Sequence, residues 1–371
     1  MIRILHVSTA HPASDPRIAY RVLPTLAPHY ELIALLPNGS AGEWTGIRYV
    51  SLFWFRRVWQ RVLVNYPLVL WHTLRLRPAL FHIYDPELLP LARFVQLLLQ
   101  IPVIYEVHEN LYKKLDAKAS NQTRLATWAF CRADRMAQRH FYLIFTEHGY
   151  TDTYRHLNRP SVVIHNYPTL PFFEPFRTNY ATDPQAPVFF YIGWISLERA
   201  FDTLLLALAS LKANYPNFRV HLFGDCAIPN HVLTRLPGFA KVCDNLIFYG
   251  YTNQQTAFRY AAGATAGLAL LNPVGDYPES YTTKLFEYMA LGLPVVTSDF
   301  PLYREVVERH GCGFCVSPND PVAIADALLY FIQNEQVARD MGQRGRQAVE
   351  TMYNWETESK QFLSFYRQVL P

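Results

Sequence analysis

The segment with the clearest chemical potential is a short predicted helix that begins near Thr283, runs to Leu291 and ends before Gly292. The first backbone N–H groups of a helix are unpaired and carry partial positive charge, so a helix tip can bind an anion. Lys284 adds a full positive charge at this tip. Glu287 lies one turn further along the same side and can accept two hydrogen bonds from a diol such as a ribose. These residue types at this spacing predict a site for the phosphate and the sugar of a nucleotide.

Two further segments in the same half carry groups suited to this chemistry. Glu279 precedes the predicted helix and can reach a ligand bound at its tip. A strand-like segment ends at Gly193, and Arg199 opens the helix that follows. A glycine-ended strand followed by such an arginine is a common way to hold a diphosphate, because arginine can bind phosphate through two hydrogen bonds. On the pattern alone, an ordinary amphipathic helix and a surface arginine explain these residues equally well.

Short apolar strands alternate with helical segments along the whole chain. Examples are 2–8, 79–84 and 102–107 in the first half and 188–193 and 266–271 in the second. This alternation predicts an α/β protein with two Rossmann-like, doubly wound parallel sheets that helices cover on both faces. In such sheets, ligands bind at the carboxyl ends of the strands. The candidate groups therefore lie where a ligand is expected.

Length and proline content predict how the chain divides. At roughly 150 residues per domain, a chain of this length holds about two domains. Five prolines lie between 168 and 187, and proline continues neither a helix nor a central strand. We expect an N-terminal domain over 1–168, a linker over 169–187, a C-terminal domain over 188–353 and a C-terminal helix over 354–371 that crosses back to the N-terminal domain. The two domains would face each other across a cleft.

The first half of the chain is basic and the second half is acidic. Residues 1–170 carry 19 Lys and Arg against 11 Asp and Glu, a net charge of +8, whereas residues 171–371 carry 15 against 19, a net charge of −4. The positive charge is concentrated at 51–78, which has five arginines, three tryptophans and no acid, and at 111–140, which has a net charge of +5. Basic and aromatic residues together suit the headgroup layer of an anionic membrane. A core helix with a solvated basic face is the alternative, and no nucleic-acid-binding motif accompanies these residues.

The sequence offers no strong candidate for a membrane span. The best segment, 62–74, is thirteen residues long and is interrupted by Asn65 and Pro67, whereas a helical span needs about 20 apolar residues. The N-terminal segment MIRILHVSTAHP at 1–12 has too short an apolar run for a signal-peptide core. Five cysteines, an odd number in a large chain, fit a reducing cytoplasm. We therefore expect a cytoplasmic protein that makes peripheral contact with the inner face of the cell membrane.

The first half also places polar side chains at predicted strand ends. His108 directly follows the strand 102–107, and Asp15 and Arg17 lie in the first turn between strand and helix. A structural histidine, and an Asp helix cap beside a solvated arginine, are the alternatives to a functional role. His82 and Asp85 flank another strand end, where an anchored turn is the favoured explanation.

At Glu279 and Glu287 a specific resemblance appears. These two residues are separated by seven others, and MALGLPVV follows at 289–296, so the segment resembles the signature of the family-4 retaining glycosyltransferases, also called group 1 glycosyl transferases. The resemblance continues over nearly the whole chain, for instance in HPASDPRIAYR at 11–21 and VIYEVHEN at 103–110. It implies the GT-B fold and transfer of a sugar from a nucleotide diphosphate to an acceptor with retention of configuration.

The resemblance also implies roles for individual residues. Glu287 would bind the donor ribose, Arg199 would meet the diphosphate, and Lys284 with the N–H groups near Thr283 would complete the phosphate cradle. The residues predicted to bind the donor are Gly193, Arg199, Tyr251, Thr283, Lys284 and Glu287.

The remaining roles concern the reacting sugar and the acceptor. Glu279 would contact hydroxyls of the transferred sugar, and His108 matches the histidine that approaches that sugar, so these two are the predicted catalytic residues. Asp15 and Arg17 match the loop that borders donor and acceptor. The sequence departs from the family pattern at Trp194, where an arginine is frequent, and at Thr282, where a glycine is frequent.

The residues and the resemblance together predict a retaining, metal-independent glycosyltransferase. It would use a UDP- or GDP-sugar and a glycan or lipid-linked acceptor in cell-surface polysaccharide or glycolipid synthesis. No Asp pair is suited to a metal, so we expect fixed cations to replace it and no cofactor, and we expect no nucleic-acid partner. One alternative is a nucleotide-sugar epimerase or hydrolase of the same fold. The other is a non-catalytic nucleotide-sugar-binding homologue, which the departures from the family pattern at Trp194 and Thr282 favour.

Overall fold

The computed structural model describes the chain except for residues 40, 111, 114–123, 180–182, 184 and 371. It divides into two compact units. The first contains Met1–Asn166 and Thr357–Pro371, and the second contains Tyr167–Glu356. Residues 111 and 114–123 of the predicted basic stretch 111–140 lie outside the described residues.

The first unit is built on one sheet. Its strands are β1 (Arg3–Val7), β2 (Glu31–Pro37), β3 (Gly42–Trp44), β4 (Ile47–Leu52), β5 (Leu80–Ile83), β6 (Val103–Val107), β7 (Tyr142–Phe145) and β8 (Ser161–Val163). Within the described residues the strand order is β3-β4-β2-β1-β5-β6-β7-β8. All neighbours are parallel except the edge pair of β3 and β4.

Helices flank this sheet. They span Ile18–Val22, Leu23–Leu26, Val58–Leu76, Leu89–Leu99, Arg124–His140 and His148–Thr151, and the C-terminal helix spans Trp355–Val369. The C-terminal helix returns to the first unit, where Tyr366 is fully buried and its hydroxyl contacts Nδ1 of His82 on β5. This confirms the predicted crossing of that helix.

The second unit is built on a sheet that is parallel throughout. Its strands are β9 (Val188–Ile192), β10 (Arg219–Phe223), β11 (Leu246–Gly250), β12 (Ala266–Ala269), β13 (Val295–Ser298) and β14 (Gly313–Val316), in the order β11-β10-β9-β12-β13-β14. On β9, Phe189 and Tyr191 enter one hydrophobic core and Phe190 enters another. Because successive side chains of a strand point to opposite faces, both faces of this sheet are covered.

The helices of the second unit supply these two cores. They span Leu170–Phe173, Phe201–Leu211, Asn230–Leu233, Phe239–Val242, Gln254–Arg259, Thr283–Leu291, Pro301–His310, Pro321–Gln333 and Glu335–Thr351. Within the proline-rich stretch, the turn Leu170–Phe173 is folded and contributes Phe173 to a core. The predicted α/β architecture with two doubly wound parallel sheets is confirmed.

Candidate active site

The site helix, Thr283–Leu291, lies at the point where the strand order of the second sheet reverses. From β9 the chain continues to β10 on one side, and from β12 it continues to β13 on the other. Loops that leave two such neighbouring strands diverge and open a crevice at their carboxyl ends. Arg199 follows β9, and the site helix follows β12, so both lie beside this crevice.

Tyr288 fixes the site helix against the two strands. Its hydroxyl accepts a hydrogen bond from the backbone N–H of Ile192 at 3.1 Å and donates one to the carbonyl of Leu268 at 3.2 Å. The hydroxyl thus replaces ladder hydrogen bonds where β9 and β12 separate. At Gly267 a Cβ would collide with the Tyr288 ring, so only glycine fits there. The helix ends as predicted, because Gly292 adopts a φ of 81° that favours glycine.

Lys284, Arg199 and Gly193 converge at this crevice. A Cβ at Gly193, whose φ is 128°, would lie 3.1 Å from an Nη of Arg199 and 3.6 Å from Cδ of Lys284. The bare backbone of Gly193 therefore leaves room for both cationic side chains. The side chain of Lys284 is 3% exposed, and its Nζ has no hydrogen-bond partner among the described residues.

The charge of Lys284 is poorly compensated. Its Nζ lies 4.3 Å from the centroid of the Tyr191 ring. Burial, and next the positive charge of Arg199, hold the pKa of Lys284 well below its usual value, while Glu287 acts in the opposite direction. A buried ammonium without a hydrogen-bond partner is unfavourable unless an anion joins it. This arrangement is suited to binding an anion such as a phosphate.

Glu287 lies close to this pair. It is 6% exposed, and its Oε1 accepts a hydrogen bond of 3.3 Å from Nε2 of Gln254, at the start of the helix Gln254–Arg259. Sequence reasoning missed Gln254, although its position shortly after an apolar segment, which forms β11, was an available signal. Thr283 and Glu279 are exposed, and Tyr251 is 82% exposed after the end of β11. The structure therefore brings together Gly193, Arg199, Lys284 and Glu287 and leaves Thr283, Glu279 and Tyr251 on the loops and tips of the same sheet edge.

The first unit has an equivalent reversal between β1 and β5, and Asp85 organises the loop there. Oδ2 of Asp85 accepts hydrogen bonds from the backbone N–H of Thr9 at 2.6 Å and of Ala10 at 3.2 Å, and from the hydroxyl of Ser8 at 2.8 Å. Asp85 therefore acts as an anchor, as expected. It anchors the loop that follows β1 and not just the turn in which it lies itself.

His11 is the residue of this loop that sequence reasoning missed. Its Nδ1 lies 3.0 Å from Oδ2 of Asp15, and its Nε2 lies 3.6 Å from Oδ1 of Asp85. Its ring contacts the ring of His108, with centroids 4.7 Å apart. Burial disfavours the imidazolium, but the hydrogen bond to Asp15 and the charges of Asp85, Asp15 and Glu109 outweigh burial and raise the pKa of His11 to about 9. A histidine spaced four residues before an aspartate was the available signal.

For Asp15 and Arg17 the alternative to a functional role was a helix-capping aspartate beside a solvated arginine, and the structure matches this only in part. Asp15 does cap the following helix, because its Oδ1 accepts hydrogen bonds from the N–H groups of Arg17 and Ile18. The alternative of a solvated Arg17 is wrong. Its side chain is 4% exposed and pairs with the carboxylate of Glu106, which also accepts a hydrogen bond of 2.8 Å from Nε2 of His108. The structure thus assembles His108, Asp15 and Arg17 in one cluster with His11.

No described helix combines the length and the apolar character that a bilayer span requires. Among the same residues, no three His, Cys, Asp or Glu side chains form a group that could hold a metal ion.

With the fold and the two clusters described, comparison with known proteins defines the class. Residues 172–348 match the family described as group 1 glycosyl transferases. The match covers a little under half of the chain, and it confirms the predicted resemblance to this family. The match includes Arg199, Lys284 and Glu287.

Curated proteins of related function resemble part of the chain. The chain is 27% identical over 158 residues to a phosphatidyl-myo-inositol mannosyltransferase of Mycobacterium leprae. The aligned region covers 37% of this chain and 42% of that relative. The chain spans less than half the length of the curated relatives that it matches.

Solved structures show the same fold over the full length. The sucrose-phosphate synthase of Thermosynechococcus elongatus superposes with a TM-score of 0.76 at 16% identity, covering 100% of this chain and 99% of the other. The Anabaena protein HepE, solved in complex with UDP-glucose, gives a TM-score of 0.73 at 14% identity, covering 99% of this chain and 100% of the other. The predicted GT-B fold is therefore confirmed.

Proposed function

We propose that this chain is a retaining glycosyltransferase that takes a sugar from a nucleotide diphosphate sugar and transfers it to a glycan or lipid-linked acceptor. The observation that carries the proposal is Lys284, a buried cation without a hydrogen-bond partner among the described residues, beside Arg199 at the reversal point of the second sheet. A diphosphate supplies the negative charge that this pair lacks. The match of residues 172–348 to the group 1 glycosyl transferases and the complex of HepE with UDP-glucose support the same ligand class.

In this proposal the second unit holds the donor and stabilises the leaving group. Breaking the bond between sugar and phosphate develops negative charge on the diphosphate. Lys284, Arg199 and the N–H groups near Thr283 are fixed in place before the reaction, and such prearranged charges usually supply the largest part of catalysis. They would take the role that a metal ion has in other transferases. Glu287 would bind the ribose, and Glu279 would contact hydroxyls of the transferred sugar.

The first unit would serve the acceptor side. His108, Asp15 and Arg17 would lie against the reacting sugar and the acceptor, so His108 and Glu279 remain the proposed catalytic residues. With retention, the departing phosphate would help to deprotonate the acceptor hydroxyl on the same face of the sugar.

A thermal-shift panel of UDP, GDP and their sugars tests the donor assignment. We expect one nucleotide series to raise the melting temperature of the wild type. Lys284→Met should lower the affinity for that nucleotide by on the order of 100-fold. Lys212→Met is the matched control, because Lys212 lies on the surface of the same unit and its Nζ bonds the carbonyl of Lys241. Failure of every nucleotide to bind the wild type, or equal losses in both variants, would exclude the proposed donor site.

The ribose assignment has a test of its own. Wild type should bind the preferred nucleotide diphosphate more tightly than its 2′-deoxy form, whereas Glu287→Ala should bind both equally weakly. An undiminished preference for the ribose form in Glu287→Ala would move this role to another residue. Nucleotide binding without release of the diphosphate across a broad panel of acceptors would instead favour the non-catalytic homologue.

The helix Val58–Leu76 supports a membrane partner for the first unit. Trp59, Leu63, Trp71 and Leu74 are each at least 40% exposed, and their spacing places them on one face of the helix. Arg75 lies 5.2 Å from the Trp71 ring centroid. An exposed stripe of tryptophan and leucine beside arginines suits the interface of an anionic phospholipid bilayer. The name of the mycobacterial relative, which includes phosphatidylinositol, is consistent with an acceptor held at such a surface.

Cosedimentation with phospholipid vesicles tests this contact. We expect binding to vesicles that contain phosphatidylglycerol, weak binding to pure phosphatidylcholine, and loss of binding in the double variant Trp59→Ser, Trp71→Ser. Trp194→Ser is the control, because Trp194 is similarly exposed at 56% but lies in the second unit. Equal binding of the double variant and the wild type would rule out this face.

A further inference from the structure

A carboxylate that no part of the proposed donor site uses, Glu106, lies at the centre of the first cluster. It occupies β6 and is fully buried. Its Oε1 contacts Nε of Arg17 and lies 2.8 Å from Nε2 of His108, and its Oε2 lies 3.3 Å from Nε2 of His82. Three basic side chains from three different elements therefore surround one buried carboxylate.

The surroundings hold this carboxylate in one position. Nδ1 of His82 contacts the Tyr366 hydroxyl of the C-terminal helix, and the His82 ring stacks on that of Tyr84 with centroids 4.5 Å apart. The Tyr84 ring also meets the edge of His108, at 5.6 Å between centroids. A packed interior of this kind has few alternative rotamers, so Glu106 and its partners form a rigid support beneath His108.

The hydrogen bond between Glu106 and His108 determines where the histidine carries its proton. Burial disfavours the charged carboxylate, but Arg17, and after it the imidazoles of His108 and His82, outweigh burial and hold the pKa of Glu106 well below its usual range. An ionised carboxylate can only accept hydrogen bonds, so Nε2 of His108 must donate. Nδ1 of His108 has no hydrogen-bond partner among the described residues.

We propose that Glu106 is a positioning residue that fixes the ring of His108 and its Nε2–H tautomer, so that Nδ1 accepts a hydrogen bond from a substrate hydroxyl. The inference rests on the proposed function in one respect, namely that His108 faces substrate. The competing explanation is that Glu106 only neutralises the buried Arg17. The two differ in whether the state of His108 depends on Glu106.

Imidazole 15N NMR of the unliganded protein separates the two explanations without any activity measurement. At alkaline pH the His108 ring, assigned with His108→Asn, should show a protonated Nε2 and an unprotonated Nδ1. In Glu106→Gln we expect this tautomer to give way to a mixture. Asp134→Asn is the matched control, because Asp134 is another fully buried carboxylate of the first unit, bonded by Tyr112, Tyr154 and Gln138. Asp134→Asn should leave the His108 signal unchanged.

Kinetics then connect the tautomer to the reaction. In Glu106→Gln the turnover number should fall roughly tenfold to hundredfold, the range for a hydrogen bond to a charged group, while nucleotide affinity measured by thermal shift stays unchanged. Should Glu106→Gln not fold, Glu106→Asp retains the charge beside Arg17 but shortens the reach to His108, and it should show the same change of tautomer to a smaller degree.

An unaltered Nε2–H tautomer in both Glu106 variants would overturn the proposal, as would an equal loss of turnover in Asp134→Asn. If the wild type binds no nucleotide and transfers no sugar, the proposed function fails. The NMR comparison still decides whether Glu106 sets the state of His108.

Discussion

Lys284 in the second unit and Glu106 in the first are both buried charged side chains at the reversal region of a parallel sheet, but their surroundings differ. The Nζ of Lys284 has no hydrogen-bond partner among the described residues and has Arg199 as a like-charged neighbour. Glu106 contacts Arg17, His82 and His108. A site that lacks a counter-charge is prepared for a charged ligand, whereas a site whose charges are paired internally can hold its side chains rigid without one.

The largest expected effect is that Glu106→Gln and Lys284→Met change the free energy of unfolding in opposite directions. Glu106→Gln leaves Arg17 buried without its carboxylate, and breaking a buried pair in this way destabilises a protein by about 3–5 kcal/mol. Lys284→Met removes a buried charge that lacks a hydrogen-bond partner, so the ligand-free protein should gain about 1–3 kcal/mol. Urea unfolding of the two variants measures both changes. Destabilisation by both substitutions to a similar extent would show that Lys284 has a compensating partner in the free protein.

The same contrast predicts that nucleotide binding takes up protons. The pKa of Lys284 is held well below its usual value by burial and by Arg199, and a bound diphosphate favours the ammonium and raises that pKa again. At a pH between the pKa of Lys284 in the free protein and its pKa in the complex, nucleotide binding therefore takes up protons. The affinity for the nucleotide falls as the pH rises through this range. Calorimetry in buffers of different ionisation enthalpy measures the uptake, which Lys284→Met should abolish. Uptake of the same size in that variant would assign the protons to another group.

Tyr288 tests how strictly the site helix must be held. Tyr288→Phe keeps the ring but leaves the N–H of Ile192 without its partner, and a buried unsatisfied donor costs about 1–3 kcal/mol. We expect this loss in urea unfolding, together with a severalfold weaker nucleotide affinity because the helix tip is less well placed. Tyr303→Phe is a useful comparison, because the Tyr303 hydroxyl bonds the loop before the helix at Ser280 and Thr282. Identical affinity for Tyr288→Phe and the wild type would show that packing alone positions the helix.

The sequence allowed more of the second unit to be predicted than of the first, for a physical reason. The site helix follows from local signals, namely apolar spacing and a glycine stop, and its neighbour Arg199 follows the adjacent strand β9. In the first unit the decisive contacts join distant positions, such as His11 with Asp85 and Arg17 with Glu106. Local patterns cannot show such pairs, and for that reason a solvated Arg17 stayed open as an alternative to a functional role. The edge strand β3 was missed because it has only three residues, and its neighbour β4 was missed because IRYVSL carries little apolar alternation.

The smallest expected effect concerns His11, whose charge helps to hold the loop at the edge of the first sheet. Its pKa is raised from the ordinary value of 6.5 to about 9, so its stabilising effect is fully present below pH 6.5 and is lost as the pH rises through about 9. Since the side chain is 29% exposed, solvent reduces the effect, and we expect His11→Gln to cost about 1–2 kcal/mol near neutral or mildly acidic pH. Urea unfolding of both proteins at mildly acidic and at strongly alkaline pH measures the difference, with His29→Gln, an exposed histidine of the same unit, as the control. If the difference in unfolding free energy between His11→Gln and the wild type stays constant across this pH range, His11 acts through packing rather than through its charge. The first unit would then depend less on paired charges than its geometry indicates.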